Sequence, residues 1–180
     1  SQGNWGELIL ERVLEASGLR RGAEYDVQES HVREDGSRVQ PDVVIHLPED
    51  RHLVVDAKAS LPAYDEYTSA GDDAVRAAAQ RRHVESIRAH IKGLSGKNYQ
   101  QLYGIRSLDF VLMFVPIEPA FMLALSADHQ LFMDAWARTV LLASPSTPLV
   151  VVRTVAHISR QAAQTRYAQD IAKRGAEHCC

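Results

Sequence analysis

The sequence predicts an α/β fold in which a mixed central β-sheet is flanked by helices. Two apolar runs, Val43–Ile45 and Leu53–Val55, are typical of central strands covered on both faces. Later strand patterns alternate with helix patterns, as expected for strands joined by crossover helices. At 180 residues the chain is long enough for one domain with a substantial core and short for two. We therefore expect a single domain over residues 1–180.

A helix and a strand are predicted before the two apolar runs. Residues 4–17 carry apolar side chains at helical spacing. Asn4 is expected to cap the start of this helix, and Gly18 to end it. Residues 24–33 have strand character and lead to the turn signal Asp35-Gly36.

The rest of the chain predicts a hairpin followed by alternating helices and strands. Gly93 is expected to end a long helix, and Pro116 to end the strand that follows it. Thr147-Pro148 is expected to begin the last helix. In order, we expect strands at 42–47 and 52–58, an irregular or briefly helical stretch at 61–67, a helix at 72–92, a strand at 108–115, one or two helices at 120–136, a strand at 139–143 and a helix from 148 to about 174.

Three charged residues are predicted to meet on the hairpin. Asp56 and Lys58 are two positions apart on one strand, so their side chains project from the same face. The turn brings Asp42 back beside them. If residues 47 and 52 are opposed, Asp42 faces position 57, whereas one extra loop residue places it opposite Asp56. Either register gathers the three groups at one spot.

Two carboxylates and one ammonium group suit phosphodiester hydrolysis. A hard divalent cation, Mg²⁺ or Mn²⁺, relieves the repulsion between neighbouring carboxylates by binding between them. Such an ion polarises a phosphodiester and lowers the pKa of a bound water. Lys58 would orient that water and stabilise charge on the phosphorus centre. The pattern therefore predicts a metal-dependent nuclease centre of the PD-(D/E)xK type, formed by Asp42, Asp56 and Lys58.

The same residues have a second interpretation. Asp42 would then merely follow a turn, and Asp56 and Lys58 would form a solvated ion pair. Against this, both acids adjoin strongly apolar strands, where an uncompensated carboxylate is costly. A charge retained in such a place usually has a partner or a task.

Two further residues are candidates with structural alternatives. Glu7 on the first helix would supply another metal-facing carboxylate, and is equally consistent with a surface glutamate favoured by the helix dipole. Gln28, on the strand before the hairpin, would hydrogen-bond a ligand or lie exposed on its strand.

A basic segment at 81–97 is the predicted nucleic-acid surface. Arg81, Arg88 and Lys92 lie at helical spacings and share roughly one face, where they would contact phosphates. Lys97 extends the segment, and Tyr99, like Tyr103, would stack on bases. A solvated basic face with core tyrosines explains the pattern equally well. Because the net charge is -3, DNA binding must rest on this local surface and on bound metal.

Several other function classes are disfavoured. Cys179 and Cys180 are adjacent, which does not resemble a disulfide framework or a zinc site and fits a reducing compartment. Ser144 lacks the G-x-S-x-G context of a serine hydrolase. The most apolar stretch, 110–125, is interrupted by prolines and is shorter than the roughly 20 apolar residues of a membrane span. We expect a cytoplasmic location and no membrane contact in this chain.

Six stretches along the chain carry a family resemblance: Gly3-Asn4-Trp5-Gly6-Glu7, Gln40-Pro41-Asp42-Val43-Val44, Val55-Asp56-Ala57-Lys58, His90 to Tyr99, Met113 to Glu118, and Ser144-Pro145-Ser146-Thr147. In these stretches the sequence resembles the RmuC family of bacterial DNA recombination proteins. The resemblance implies a restriction-endonuclease-like core and a nuclease-type role in limiting DNA rearrangement. It also implies that Glu7, Asp42, Asp56 and Lys58 form the site.

Members of that family commonly carry an N-terminal membrane anchor and a coiled coil before this domain. By that resemblance we expect this chain to be the isolated catalytic-type domain or a shortened relative. Assembly into a homo-oligomer and tethering to the inner membrane would then belong to a longer parent protein.

Three function hypotheses follow from the sequence. The first is a Mg²⁺-dependent DNA nuclease in which Glu7, Asp42 and Asp56 hold the metal and Lys58 positions the attacking water. The second is a module of the same fold that grips DNA ends or branched DNA without cutting. The third is a protein that shares the fold and acts on no nucleic acid.

Overall fold

A central five-stranded sheet organises the protein, whose computed structural model describes residues 3–27, 42–58, 60–95 and 107–177. The strands follow one another across the sheet in chain order, from β1 to β5. The first three are antiparallel neighbours, and β3, β4 and β5 run parallel to one another. The predicted mixed sheet with flanking helices is confirmed.

The elements of these ranges agree closely with the expected ones, while positions 28–33 of the first expected strand and the turn Asp35-Gly36 lie outside the described residues. A short 3-10 turn, Pro48–Asp50, joins β2 to β3. In chain order the helices and strands are α1 (Gly3–Ala16), β1 (Tyr25–Val27), β2 (Val43–Leu47), β3 (Arg51–Ala57), α2 (Pro62–Ser69), α3 (Asp73–Ser95), β4 (Ser107–Phe114), α4 (Glu118–Ala127), α5 (Leu131–Ala137), β5 (Val140–Ala143) and α6 (Thr147–Glu177).

Two hydrophobic cores lie against the opposite faces of the sheet. Because side chains alternate along a strand, Val55 and Ala57 pack with Leu10 and Leu14 of α1, while Asp56 and its alternate neighbours face the other side. That second face is covered mainly by α3, α4 and α5. Its buried apolar residues are Leu61, Ile87, Ile91, Leu94, Met113, Val115, Ala120, Phe121, Ala124, Leu131, Ala135, Val140 and Leu142.

The two ends of α1 differ in how well they were predicted. Gly18 ends the helix as expected, with a left-handed φ of 84°. The N–H of Leu19 donates to the carbonyl of Leu14 at 3.1 Å, which closes the last turn. The expected Asn4 cap is wrong. The helix already begins at Gly3, so Asn4 has helical backbone instead of the extended conformation of a cap.

The predicted stop of α3 at Gly93 is also wrong. The helix continues to Ser95, and Leu94 is buried in the second core. Glycine inside a helix costs about 1 kcal/mol relative to alanine, and the burial of a leucine contributes roughly 1.5–3 kcal/mol. Packing therefore outweighs the local preference at Gly93.

The helices of the described ranges include none that is both long and apolar enough to cross a bilayer. The expected cytoplasmic location is not tested by this finding and stays a prediction.

Candidate active site

The hairpin brings two carboxylates and an amine to one edge of the sheet. Asp42 immediately precedes β2, Asp56 is the second-last residue of β3, and Lys58 directly follows that strand. All three are buried, with exposed fractions of 0%, 4% and 7%. Such deep burial is unlike a solvated surface ion pair, so these charges need compensation inside the protein.

The register resolves the position of Asp42. Leu47 pairs with Arg51, and Val43 pairs with Val55. Continuing this register by one residue places Asp42 opposite Asp56, as in the second of the two predicted alternatives. The loop is not longer, as that alternative assumed, but one residue shorter than the loop between residues 47 and 52. The three-residue turn sets this offset: Glu49 and Asp50 adopt left-handed φ values of 63° and 57°.

Asp42 is anchored to the neighbouring strand through its side chain. Its Oδ2 accepts a hydrogen bond of 2.6 Å from the backbone N–H of Ala57. The carboxylate therefore takes the place of a backbone carbonyl at the point where β2 begins.

Asp56 is held from the other side by helix α3. The Nε2 atom of His90 lies 2.7 Å from Oδ2 of Asp56. His83 lies two turns earlier on the same face of α3 and is also buried. Neither histidine is among the site residues predicted from the sequence. Their spacing with Ile87 and Ile91 is the signal that they face the sheet.

Lys58 points its amine into a poorly solvated position. Its Nζ donates to the carbonyl of Ser60 at 3.1 Å. Burial lowers the pKa of Lys58, and the charge of Asp56 opposes this shift only in part. A lysine with a lowered pKa beside a carboxylate is a feature that active sites share more often than ordinary surfaces.

His83 lies close enough to Lys58 to sense its charge. Burial lowers the pKa of His83, the hydrogen bond to Ala120 opposes this shift, and the positive charge of Lys58 adds to the lowering. Because a carbonyl only accepts, Nε2 of His83 donates the 2.7 Å hydrogen bond to Ala120. His83 is thus favoured in its neutral form beside Lys58.

Two carboxylates are the donor set that this site offers to a metal. Mg²⁺ commonly binds proteins through one or two carboxylates and completes its shell with water and phosphate oxygens, so Asp42 and Asp56 fit that chemistry. Within the described ranges, no three His, Cys, Asp or Glu side chains are grouped so that they could hold an ion. The structure therefore does not gather Glu7, which is half-buried on α1, into one ligand cluster with Asp42 and Asp56.

A second polar cluster lies at the same edge of the sheet, at the ends of β4 and β5. Ser144 is fully buried and donates to Glu118 at 2.9 Å, and the N–H of Ser146 donates to the same carboxylate at 3.1 Å. Burial raises the pKa of Glu118, but the hydrogen bonds from Ser146 and Ser144 outweigh it and hold the pKa below its ordinary value. This carboxylate ties the start of α4 to the start of α6.

The predicted DNA-contacting residues fall into three groups. Arg88 forms ion pairs with Asp128 at 2.6 Å and Asp134 at 2.9 Å. Its charge is therefore already compensated within the protein. Arg81 and Lys92 are exposed on α3. Lys97, Tyr99 and Gln28, together with Tyr103, lie outside the described residues.

Comparisons with a family profile and with individual proteins point to the same family. The sequence profile of the RmuC family matches residues 1–178. The chain is 52% identical over 174 residues to a DNA recombination protein RmuC homolog of Pseudomonas aeruginosa, covering 97% of this chain and 38% of that protein. It is 51% identical over 177 residues to DNA recombination protein RmuC of Salmonella typhimurium, and the match covers 98% of this chain and 37% of that protein. It is also 50% identical over 177 residues to the protein of the same name from Escherichia coli K12, and the match covers 98% of this chain and 37% of that protein. The chain thus spans less than two fifths of the length of these relatives.

Proposed function

Because this chain belongs to the RmuC family, we propose that it is a metal-dependent DNA nuclease domain acting in recombination. The names of its relatives support a role in DNA recombination. The hydrolytic step is inferred from the site. The observation that carries it is the burial of Asp42, Asp56 and Lys58 together at one strand edge.

The two carboxylates are oriented by hydrogen bonds from two different elements. Ala57 holds Asp42 from the neighbouring strand, and His90 holds Asp56 from helix α3. A bound Mg²⁺ or Mn²⁺ would polarise a phosphodiester and lower the pKa of a water. Because Asp42 and Asp56 are already oriented, little reorganisation is needed when the ion binds.

Lys58 supplies positive charge where the reaction develops negative charge. Its amine is removed from bulk water, and electrostatic interactions are stronger in such surroundings. In its charged form Lys58 would orient the attacking water and stabilise the phosphorane oxygens. The carbonyl of Ser60 holds the amine at the end of its flexible stem.

The arrangement also supports a restriction-endonuclease-like core. Its hairpin carries Asp42 on one strand and Asp56 and Lys58 on the next, followed by parallel strands β4 and β5. Arg81 and Lys92 are exposed on α3 and would contact DNA phosphates there. Roles for Lys97, Tyr99 and Gln28 remain predictions.

A cleavage assay tests the proposal. Labelled single- and double-stranded DNA is incubated with the protein in Mg²⁺ or Mn²⁺, and in EDTA. We expect metal-dependent cutting by the natural protein, its loss in Lys58→Ala, and full retention in Lys173→Ala, a matched change at an exposed lysine of α6. Cutting that survives in Lys58→Ala would refute this site.

A non-cleaving DNA-binding module is the second candidate. The observation in its favour is that Asp42 and Asp56 already have hydrogen-bonding partners within the protein. This candidate predicts DNA that shifts in a gel but stays intact, with equal affinity for the natural protein and Lys58→Ala.

A further inference from the structure

We propose that His90 is a positioning residue, which donates a hydrogen bond to Asp56 and fixes the orientation of that carboxylate toward a divalent cation. The inference rests on the proposed function and adds a residue that the acid–acid–lysine pattern does not contain. Its basis is the 2.7 Å contact between Nε2 of His90 and Oδ2 of Asp56.

The direction of this hydrogen bond follows from the chemistry of the partners. An ionised carboxylate only accepts, so Nε2 of His90 carries the proton and donates. One oxygen of Asp56 is thereby committed to the histidine. Among the described residues no hydrogen bond is seen to the other oxygen, Oδ1, and we assign this atom to the cation.

Lys58, the nearest charged residue along the chain, does not hydrogen-bond the Asp56 carboxylate. Lys58 lies two residues away, but its Nζ donates to the carbonyl of Ser60. The Asp56 side chain, which is 5% exposed, has His90 as its hydrogen-bonding partner across 34 residues of sequence. The hydrogen bond that orients this carboxylate therefore comes from helix α3.

The position of His90 is fixed by the packing of helix α3 against the sheet. Ile87 and Ile91, which flank the histidine on the sheet-facing side, are 1% and 3% exposed in the second core. Their packing fixes the backbone from which the imidazole reaches the sheet. Hydrogen-bonding partners of metal ligands typically contribute about 10- to 100-fold to metal affinity.

The chain contains its own control for this contact. His46 on β2 lies 2.7 Å from Oδ2 of Asp26 on β1, which matches the His90–Asp56 distance. The side chains of that pair are 36% and 47% exposed, and Asp26 is not a proposed ligand. A general effect of losing a histidine–aspartate contact would thus appear in both places, whereas a positioning effect would appear only at His90.

The test is Mn²⁺ affinity, measured by calorimetry or electron paramagnetic resonance at fixed pH for the natural protein, His90→Ala, His90→Gln and His46→Ala. We expect about 10- to 100-fold weaker binding in His90→Ala, partial rescue in His90→Gln, whose amide donates from a similar position, and less than about twofold change in His46→Ala. Unchanged binding in His90→Ala, or equal losses in His90→Ala and His46→Ala, would overturn the inference.

DNA cleavage measured on the same samples separates the two proposals. A natural protein that binds Mn²⁺ in a His90-dependent manner but cuts no DNA refutes the nuclease and leaves the positioning role intact. Cutting by the natural protein with unchanged Mn²⁺ affinity in both His90 variants refutes only the positioning role. A natural protein that binds no Mn²⁺ refutes both.

Discussion

Oδ2 of Asp42 accepts a hydrogen bond of 2.6 Å from the backbone N–H of Ala57, so a side chain extends the β2–β3 pairing by one step. Both residues are buried, with exposed fractions of 0% and 2%. A buried N–H without a partner is costly, so this bond supports the fold as well as the site. The proposed ligand Asp42 is therefore also part of the sheet.

This double role predicts different outcomes for two changes at Asp42. In Asp42→Asn the amide oxygen still accepts from Ala57, so we expect an unfolding free energy within about 1 kcal/mol of the natural protein. Asp42→Ala orphans that N–H and should cost about 1–3 kcal/mol. Urea denaturation measures both. We also expect Asp42→Asn to lose metal-dependent cutting, and equal stability of the two variants would contradict this account.

Lys58 predicts a gain in stability when its charge is removed. Burial lowers the pKa of Lys58 in the folded protein below its ordinary value of 10.5, so protonation opposes folding at every pH below the folded pKa. The penalty disappears as the pH rises through the folded pKa toward 10.5. The unfolding free energy of Lys58→Met should therefore be about 1 kcal/mol higher than that of the natural protein at pH 7, although the variant should lose activity. This gain in stability should shrink at alkaline pH.

Urea titrations of Lys58→Met at pH 7 and pH 10 test that sign. Lys173→Met is the matched control, because Lys173 is exposed on α6 and its substitution should leave stability unchanged at both values. A Lys58→Met variant less stable than the natural protein at pH 7 would show that the Ser60 contact outweighs the burial of the charge.

Local patterns explain why much of the hairpin was predictable. The apolar runs of β2 and β3 and the two-residue spacing of Asp56 and Lys58 are properties of adjacent positions. The sequence allows two registers because the register depends on Glu49 and Asp50, which adopt left-handed φ values although neither is a glycine. Only the folded turn selects Asp56 as the residue opposite Asp42.

Long-range packing explains what was missed. The contact of His90 with Asp56 spans 34 residues, and it depends on how α3 lies across the sheet. Helical spacing grouped Arg88 with Arg81 and Lys92, but the acids that pair with Arg88 follow 40 and 46 residues later. A charge pattern within one helix contains no information about such partners.

Arg88 is accordingly predicted to act on stability. Its hydrogen bond lowers the pKa of Asp128 below the ordinary value of 3.8, so the contribution is present above that pH and is lost as the pH falls through the folded pKa. Since the ion pair is partly exposed, we expect Arg88→Gln to cost only about 0.5–1 kcal/mol at pH 7. The difference from the natural protein should narrow in acid, as followed by urea denaturation at pH 7 and pH 3.

DNA affinity should depend instead on the exposed cations of α3. Each phosphate contact with duplex DNA contributes roughly 0.9 to the slope of log affinity against log salt concentration. We therefore expect the double variant Arg81→Ala, Lys92→Ala to bind DNA more weakly and to flatten that slope by about two. Fluorescence anisotropy at several salt concentrations measures both quantities.

The matched control for this surface is Arg166→Ala with Lys173→Ala, which removes the same charge from exposed positions of α6. If only net charge matters, the two double variants will lose DNA affinity alike, and α3 will have no special role. A loss confined to the Arg81 and Lys92 pair, with Arg88→Gln binding as the natural protein does, would locate the DNA path on α3. We expect that result because Arg88 is engaged by Asp128 and Asp134, whereas Arg81 and Lys92 are exposed.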